Sequence, residues 1–218
     1  MILYDNGISS AASRVRIALA LKGVDVVRQS VSILGPDAGS RQAGYLRVNP
    51  QGLVPTLLTD DGTLLTQSLA IIEYLDEAHP EPPLLPRNLK ERAFARSVAL
   101  AIVSETHALL PPRVAARLMA LPGVDESAVT DWKRHWVSEG LSAVETLSGA
   151  RRTGPFVVGS QPTVADIVLF PQALTTDRVG LDIRQWPNIA EIVSTLSGIP
   201  AFADNAPGSR SHTVWRSP

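Results

Sequence analysis

Cysteine is absent from the 218 residues of this chain, methionine occurs twice, and aromatic residues make up only 5%. The missing thiol excludes a disulfide framework, a thiolate-held metal, an iron–sulfur cluster and a cysteine nucleophile of the chain's own. His79, His107, His135 and His212 are the only histidines, too few and too scattered for a metal centre, so no metal is expected. Net charge is nearly absent as well: 20 Lys and Arg against 21 Asp and Glu give −1. A chain so balanced lacks the electrostatic footprint of a nucleic-acid or anionic-membrane binder. No window offers the roughly 18 uncharged apolar residues of a membrane helix. The start, Met1 to Leu19, lacks a basic stretch followed by an unbroken apolar one. A soluble, cytoplasmic protein is expected. Any catalysis must use other groups, or borrow a reactive one from a cosubstrate.

The length suits one large or two small domains. Ile2-Leu3-Tyr4 is a short apolar run ended by Asp5-Asn6-Gly7, a strand followed by turn residues. Ser9 and Ser10 then precede Ala12, Val15, Ala18, Leu19 and Leu21 at helical spacing, and Gly23 closes the segment. Val24 to Val27 reads as a second strand, completing a βαβ unit. Thr56–Thr59 and Thr63–Leu65 flank Asp60-Asp61-Gly62, a hairpin signal. Ser68 opens an amphipathic helix through Leu69, Ile71, Ile72 and Leu75, stopping before Pro80. This order predicts a small α/β domain of thioredoxin type over residues 1–80.

Glu81-Pro82-Pro83-Leu84-Leu85-Pro86 is proline-rich and reads as a linker over 81–87. Residues 88–218 then read as an all-helical domain. One helix is expected over 88–109, with Phe94, Val98, Ala101 and Ile102 on one face. Another is expected over 126–148, with Val129, Trp132, Trp136, Gly140, Val144 and Leu147 along a stripe. Thr163-Val164-Ala165-Asp166 is a capping box with Asp in place of Glu. The tail after Pro207 is polar, with Trp215 hinting at docking.

Three places carry chemistry. Ser9 and Ser10 stand at a helix start, where unpaired N–H groups and a partial positive charge favour an anion. A serine hydroxyl there can donate to a thiolate or carboxylate, or can simply cap the helix. Asn49-Pro50-Gln51-Gly52-Leu53-Val54-Pro55 leads into the hairpin. A cis Val54-Pro55 peptide would turn the Val54 backbone groups outward toward a peptide-like ligand. Gln67-Ser68 repeats the first arrangement at the next helix. Two helix N-termini on one small domain suggest an anionic ligand with a peptide backbone.

These segments, Ser9-Ser10 through Arg14-Val15-Arg16-Ile17-Ala18-Leu19, NPQGLVP over 49–55 and TQSLAIIEYLDE over 66–77, closely resemble the zeta-class glutathione transferases. That class includes maleylacetoacetate and maleylpyruvate isomerases. The resemblance continues through PEPPLLP over 80–86, Thr163-Val164-Ala165-Asp166 and Pro171-Gln172. It implies a thioredoxin-like domain followed by an all-helical one, with glutathione lying along the first and a homodimeric assembly. Ser9 matches the serine that hydrogen-bonds the glutathione sulfur, with Ser10 and Ala11 beside it. Val54, before Pro55, matches the backbone partner of the cysteinyl unit. Gln67 and Ser68 match the pair holding the γ-glutamyl carboxylate, and His107 a histidine near the glycine end. Thr163 and Asp166 match a capping pair whose role is folding. A free thiol titrates near 8.5, and lowering that by about two units stabilises the thiolate by roughly 3 kcal/mol. A hydroxyl and a helix N-terminus both favour the charged sulfur, which then attacks an electrophile in the cleft the resemblance implies between the domains.

The chain departs from the isomerase pattern at several positions. Ile8 stands where an arginine is usual, and Ala11 where the maleylacetoacetate enzymes keep cysteine. His107-Ala108-Leu109-Leu110-Pro111-Pro112-Arg113 keeps only the first and last residues of the family's His-Pro-x-Asn-Asn-x-Arg. Asp177-Arg178 replaces an arginine pair. Dicarboxylates need cationic groups, so Arg113 and Arg178 become the candidates for a second-substrate carboxylate, beside the apolar Ile8. Arg117 and Arg134 read as solvated. The expectation is a zeta-like transferase acting on a small and more apolar electrophile, by conjugation, dehalogenation or thiolytic cleavage. The alternatives are a cis–trans isomerase of maleylacetoacetate or maleylpyruvate, and a glutathione-fold binding protein without catalysis.

Overall fold

A computed structural model describes residues 1–208; the expectations for His212 and Trp215 lie outside the described residues. Ile2–Asp5 forms strand β1, its apolar Leu3 wholly buried. Helix α1, Ser10–Lys22, ends on Gly23 in the left-handed region, with the Gly23 N–H donating to Ala20 O and the Val24 N–H to Leu19 O. This double closure of the helix end uses the Val24 N–H. It delays strand β2 to Val27–Ser30, against the expected 24–27. A short helix α2, Ala43–Leu46, precedes the hairpin of β3, Thr56–Leu58, and β4, Leu64–Thr66, and helix α3 spans Ser68–Ala78. The sheet order is β2-β1-β3-β4, with β1 parallel to β2 and the other pairs antiparallel.

The helical part is built from α4, Leu89–Leu100, α5, Pro112–Met119, α6, Glu126–Gly149, α7, Val164–Ala173, and α8, Pro187–Ser197. The single helix expected over 88–109 is interrupted: α4 gives way to a wide π-helical turn at Ala101–Thr106 and a tight turn at His107–Leu109. Gly140 of α6 explains the close packing there, since a Cβ on it would sit 1.9 Å from Thr106 Oγ1. On α6 the buried stripe is Val129, Val137, Leu141, Val144 and Ser148. Trp132 and Trp136 are only half-buried and Leu147 is 39% exposed, so the expected stripe is rotated. One helical run, Leu89–Met119, is long and apolar enough on length and composition to cross a membrane, although Arg96, Glu105 and Arg113 leave it no 18-residue window free of charge. Its Phe94, Ala95, Val98, Ala99 and Ile102 are buried within the helical part, as those of a core helix are.

Thr163 and Asp166 make the expected capping box. Asp166 accepts from Thr163 N and Val157 N, each at 2.8 Å, and from Thr163 Oγ1 at 2.9 Å. Every residue of α7 is buried. Glu145 of α6 serves α8 in the same way across space, accepting from Asn188 N at 2.9 Å and Ile189 N at 3.0 Å.

A last helix, α9, Pro200–Ala203, belongs with the sheet. The chain divides into one unit of Met1–Leu84 with the residues from Ile199, and a second of Leu85–Gly198. The helical domain expected to run from 88 to 218 therefore stops at Gly198. The reason lies in α1, which is buried without a break from Ala12 to Leu19 rather than along one stripe. Its buried Ser13 and Arg16 need acceptors, and both donate to Asn205 O, at 2.6 and 3.1 Å. At the other end of α1, Lys22 binds Asp76 and the carbonyls of His79 and Pro82, fixing the first part of the proline-rich segment to this unit.

Candidate functional site

Strand register collects the candidate residues of the first unit. Tyr4 pairs with Thr56, and Thr56 with Thr66. At that end of the sheet β1 and β4 finish and β3 begins. The chain therefore leaves β1 toward Ile8 and Ser9, enters β3 from Val54-Pro55, and leaves β4 toward Gln67 and Ser68, all at one end. Ile8, Ser9, Ser10, Ala11, Val54, Pro55, Gln67 and Ser68 are thus brought to one edge by topology.

Ser9 caps α1: its Oγ accepts from Ala12 N at 3.2 Å. A hydroxyl has one donor and two acceptor sites, so capping leaves the Ser9 proton available to an anion. The first-turn N–H groups of Ser10 and Ala11 point the same way along the helix axis. No acid stands in this first turn. The loop before it is braced by Arg16, which binds Asp5 Oδ1 at 2.7 Å and the carbonyls of Asn6 and Gly7. Burial pulls the Arg16 guanidinium below its ordinary value, with Asp5 opposing.

The Val54-Pro55 peptide is cis. Val54 is buried beside Ala12, Val31 and Tyr45. Leu53 O is held by Tyr45 Oη at 2.7 Å and Asn49 Nδ2 at 2.8 Å, which fixes the segment entering β3. Among the described residues, the Val54 N–H and C=O have no backbone partner outside the regular elements.

Gln67 precedes α3 with φ 70° and ψ 120°, the only described non-glycine residue at positive φ. Such backbone is sparsely populated and costs about 1–3 kcal/mol. Its side chain does not cap the helix but donates to Gln51 Oε1 at 2.8 Å. The first turn of α3 therefore has neither a side-chain cap nor an acid, which corrects the alternative of a plain N-cap at Gln67-Ser68. Ser68 is buried, with its Oγ 3.4 Å from Arg14 Nη1.

The remaining candidates lie in the second unit. His107 follows the π-helical turn, and its Nδ1 lies 3.2 Å from Gln172 Oε1. The Gln172 amide donates through Nε2 to Thr175 Oγ1 at 3.0 Å, so Oε1 faces the imidazole and Nδ1 carries the proton. Arg113 and Arg178 are exposed, on α5 and on a short turn at Asp177–Val179. Among the described residues no group of three or more His, Asp or Glu is placed to hold a metal ion. Sequence reasoning gave Gln51 and Gln172 no role of their own, and it did not anticipate the burial of Arg14, which depends on elements far along the chain.

The uncapped α3, a Ser9 hydroxyl still able to donate and the cis peptide before β3 suit an anionic ligand with a peptide backbone. The glutathione S-transferase N-terminal domain matches residues 8–78 and the C-terminal domain residues 130–193. A maleylacetoacetate isomerase of Pseudomonas aeruginosa is 40% identical over 213 residues, covering 98% of this chain and 99% of that protein. A maleyl pyruvate isomerase structure, described as a bacterial glutathione S-transferase of zeta class, aligns with TM-score 0.91 and 32% identity over 98% of this chain and 100% of that one. A maleylacetoacetate isomerase of Anaeromyxobacter dehalogenans 2CP-1 with bound GSH aligns with TM-score 0.84 and 34% identity, covering 98% and 97%. The chain belongs to the glutathione S-transferase family, in its zeta class.

Proposed function

We propose that this chain is a glutathione-dependent cis–trans isomerase of a maleyl-type dicarboxylate, maleylacetoacetate or maleylpyruvate. The observation that carries this reading is end-to-end similarity to a maleylacetoacetate isomerase at 40% identity. It favours the isomerase alternative over a general transferase with an apolar second substrate, and relatives named as enzymes favour catalysis over binding alone. Glutathione, when bound, supplies a thiol that adds reversibly to the double bond and so permits rotation about it.

The chain's own residues do the rest. Ser9 donates its hydroxyl proton to the sulfur while its lone pair stays on Ala12 N, and the α1 N-terminus adds favourable potential. Val54 offers its backbone N–H and C=O to the cysteinyl unit. Ser68 and the uncapped first turn of α3 receive the γ-glutamyl carboxylate, with Gln67 beside them. His107 serves the glycine end, while Arg113 and Arg178 bind substrate carboxylates. A homodimer in the cytoplasm accompanies this reading, and light scattering on the purified chain tests the assembly.

Turnover of maleylpyruvate and maleylacetoacetate by the wild type and by Ser9→Ala tests the function. The expected result is glutathione-dependent turnover that falls about 100-fold in the variant with glutathione affinity within about threefold, the scale of losing one oriented donor. Conjugation of an apolar electrophile is the second reading. Ile8 favours it, being 42% exposed immediately before Ser9. A panel of aryl halides and α-halo acids showing one-for-one consumption of glutathione decides for it.

A further inference from the structure

Arg14 has no exposed surface. Its Nη1 meets Ser68 Oγ at 3.4 Å, and among the described residues Nε and Nη2 have no hydrogen-bond partner. A buried cation without an anion is costly, and a buried polar group left unsatisfied calls for an explanation. The neighbouring buried cations are provided for: Arg16 has Asp5 and three carbonyls, and Lys22 has Asp76 and two carbonyls. Among the described residues the fold supplies acids to those two and none to Arg14. Burial alone lowers Arg14 to about 9, the direction expected of a cation lacking a counter-charge. Among the described residues its one side-chain hydrogen bond is to the first residue of α3, the helix whose N-terminus has no cap and no acid.

We propose that Arg14 is a positioning residue for the anionic end of glutathione. Its guanidinium donates to Ser68 Oγ and so turns the Ser68 hydroxyl proton outward to the γ-glutamyl carboxylate, whose charge compensates the buried cation. The chemistry follows from donor counting. With one acceptor site of Ser68 Oγ facing an N–H that cannot accept, the hydroxyl proton must point elsewhere. A carboxylate at the α3 N-terminus is the acceptor the site lacks. The proposal rests on the reading that Ser68 holds that carboxylate, and the test separates the two.

Calorimetry would compare S-hexylglutathione with an analogue whose γ-glutamyl unit is replaced by 4-aminobutanoyl, which keeps the amine and lacks the α-carboxylate. Arg14→Met should weaken S-hexylglutathione by about tenfold or more while changing the analogue by less than about twofold. Arg14→Lys should recover part of the loss, and KM for glutathione should rise more than kcat falls. Equal losses for both ligands, or no loss in a variant that melts like the wild type, overturn the proposal. Ser68→Ala distinguishes the failures. Unchanged binding of S-hexylglutathione in Ser68→Ala sinks the carboxylate reading itself. A loss there but none in Arg14→Met sinks only the role of Arg14. Should the Arg14 variants not fold, the 15N NMR signal of the Arg14 guanidinium in the wild type decides. It should shift with S-hexylglutathione and not with the analogue, and no shift with either overturns the proposal.

Discussion

In the proposed reading Ser9 meets two demands: its lone pair closes the α1 N-terminus, and its proton is left to donate to the glutathione sulfur. Bound glutathione in the wild type should therefore titrate below the free-thiol value near 8.5, and Ser9→Ala should return it most of the way. Difference absorbance of the thiolate against pH checks this; a thiol unmoved by the substitution leaves the N–H groups of Ser10 and Ala11 as the activators. Gln67 carries the opposite kind of demand, a backbone strained at φ 70° with no cap to show for it. Gln67→Gly should raise stability by about 1 kcal/mol in urea unfolding, because glycine adopts positive φ freely, and should weaken glutathione binding. A variant that is less stable would contradict that account of the strain. Ser9, Val54 and Gln67 were legible in the sequence because each stands at punctuation, beside a turn, a proline or a helix start. Arg14 was not, since charged residues on helices usually face water and burial depends on elements far along the chain.

Among the elements, boundaries moved wherever a hydrogen bond outside the local pattern decided them. The β1, α1, hairpin and α3 signals are local, from period, caps and Asp-Gly, and the structure follows them. The second strand moved to Val27 because Val24 closes α1. The break in the helix over 88–109 lies where Thr106 packs against Gly140 of α6, a contact no local window contains. Gly140→Ala places a methyl against Thr106 and should cost about 1–3 kcal/mol by overpacking despite the better helix propensity of alanine; thermal unfolding checks it. The capping box has a pH signature. Burial raises the Asp166 carboxyl to about 6, so the folded state holds its proton where the unfolded state, near 3.9, has lost it. Stability from this group is present below about pH 4 and falls as pH rises toward 6, then stays level. The advantage of the wild type over Asp166→Asn should therefore shrink across that window, by an amount on the order of 3 kcal/mol. Denaturant unfolding at several pH values reads it, and a growing advantage would contradict the sign.

At the scale of the whole molecule, the division into an α/β unit and a helical unit was readable from the proline-rich segment at 81–86. The return of the residues from Ile199 to the first unit was not. The buried Ser13 and Arg16 need the Asn205 carbonyl, and such a debt appears only once α1 is known to be covered on every side. The class of enzyme was legible from the three segments around Ser9, Val54 and Gln67, whose pattern resembles the family to which the domain models and full-length relatives assign the chain. The reaction was read less well. Ile8, Ala11 and Asp177 pulled the expectation toward an apolar electrophile, whereas relatives similar over the full length are isomerases. The central claim is that a borrowed thiol acts catalytically on a maleyl double bond. Its most direct measurement follows maleylpyruvate or maleylacetoacetate with glutathione at a small fraction of the substrate concentration. The account predicts complete conversion to the trans isomer with glutathione undiminished; conversion that stops when glutathione is spent, or none at all on either dicarboxylate, would contradict it.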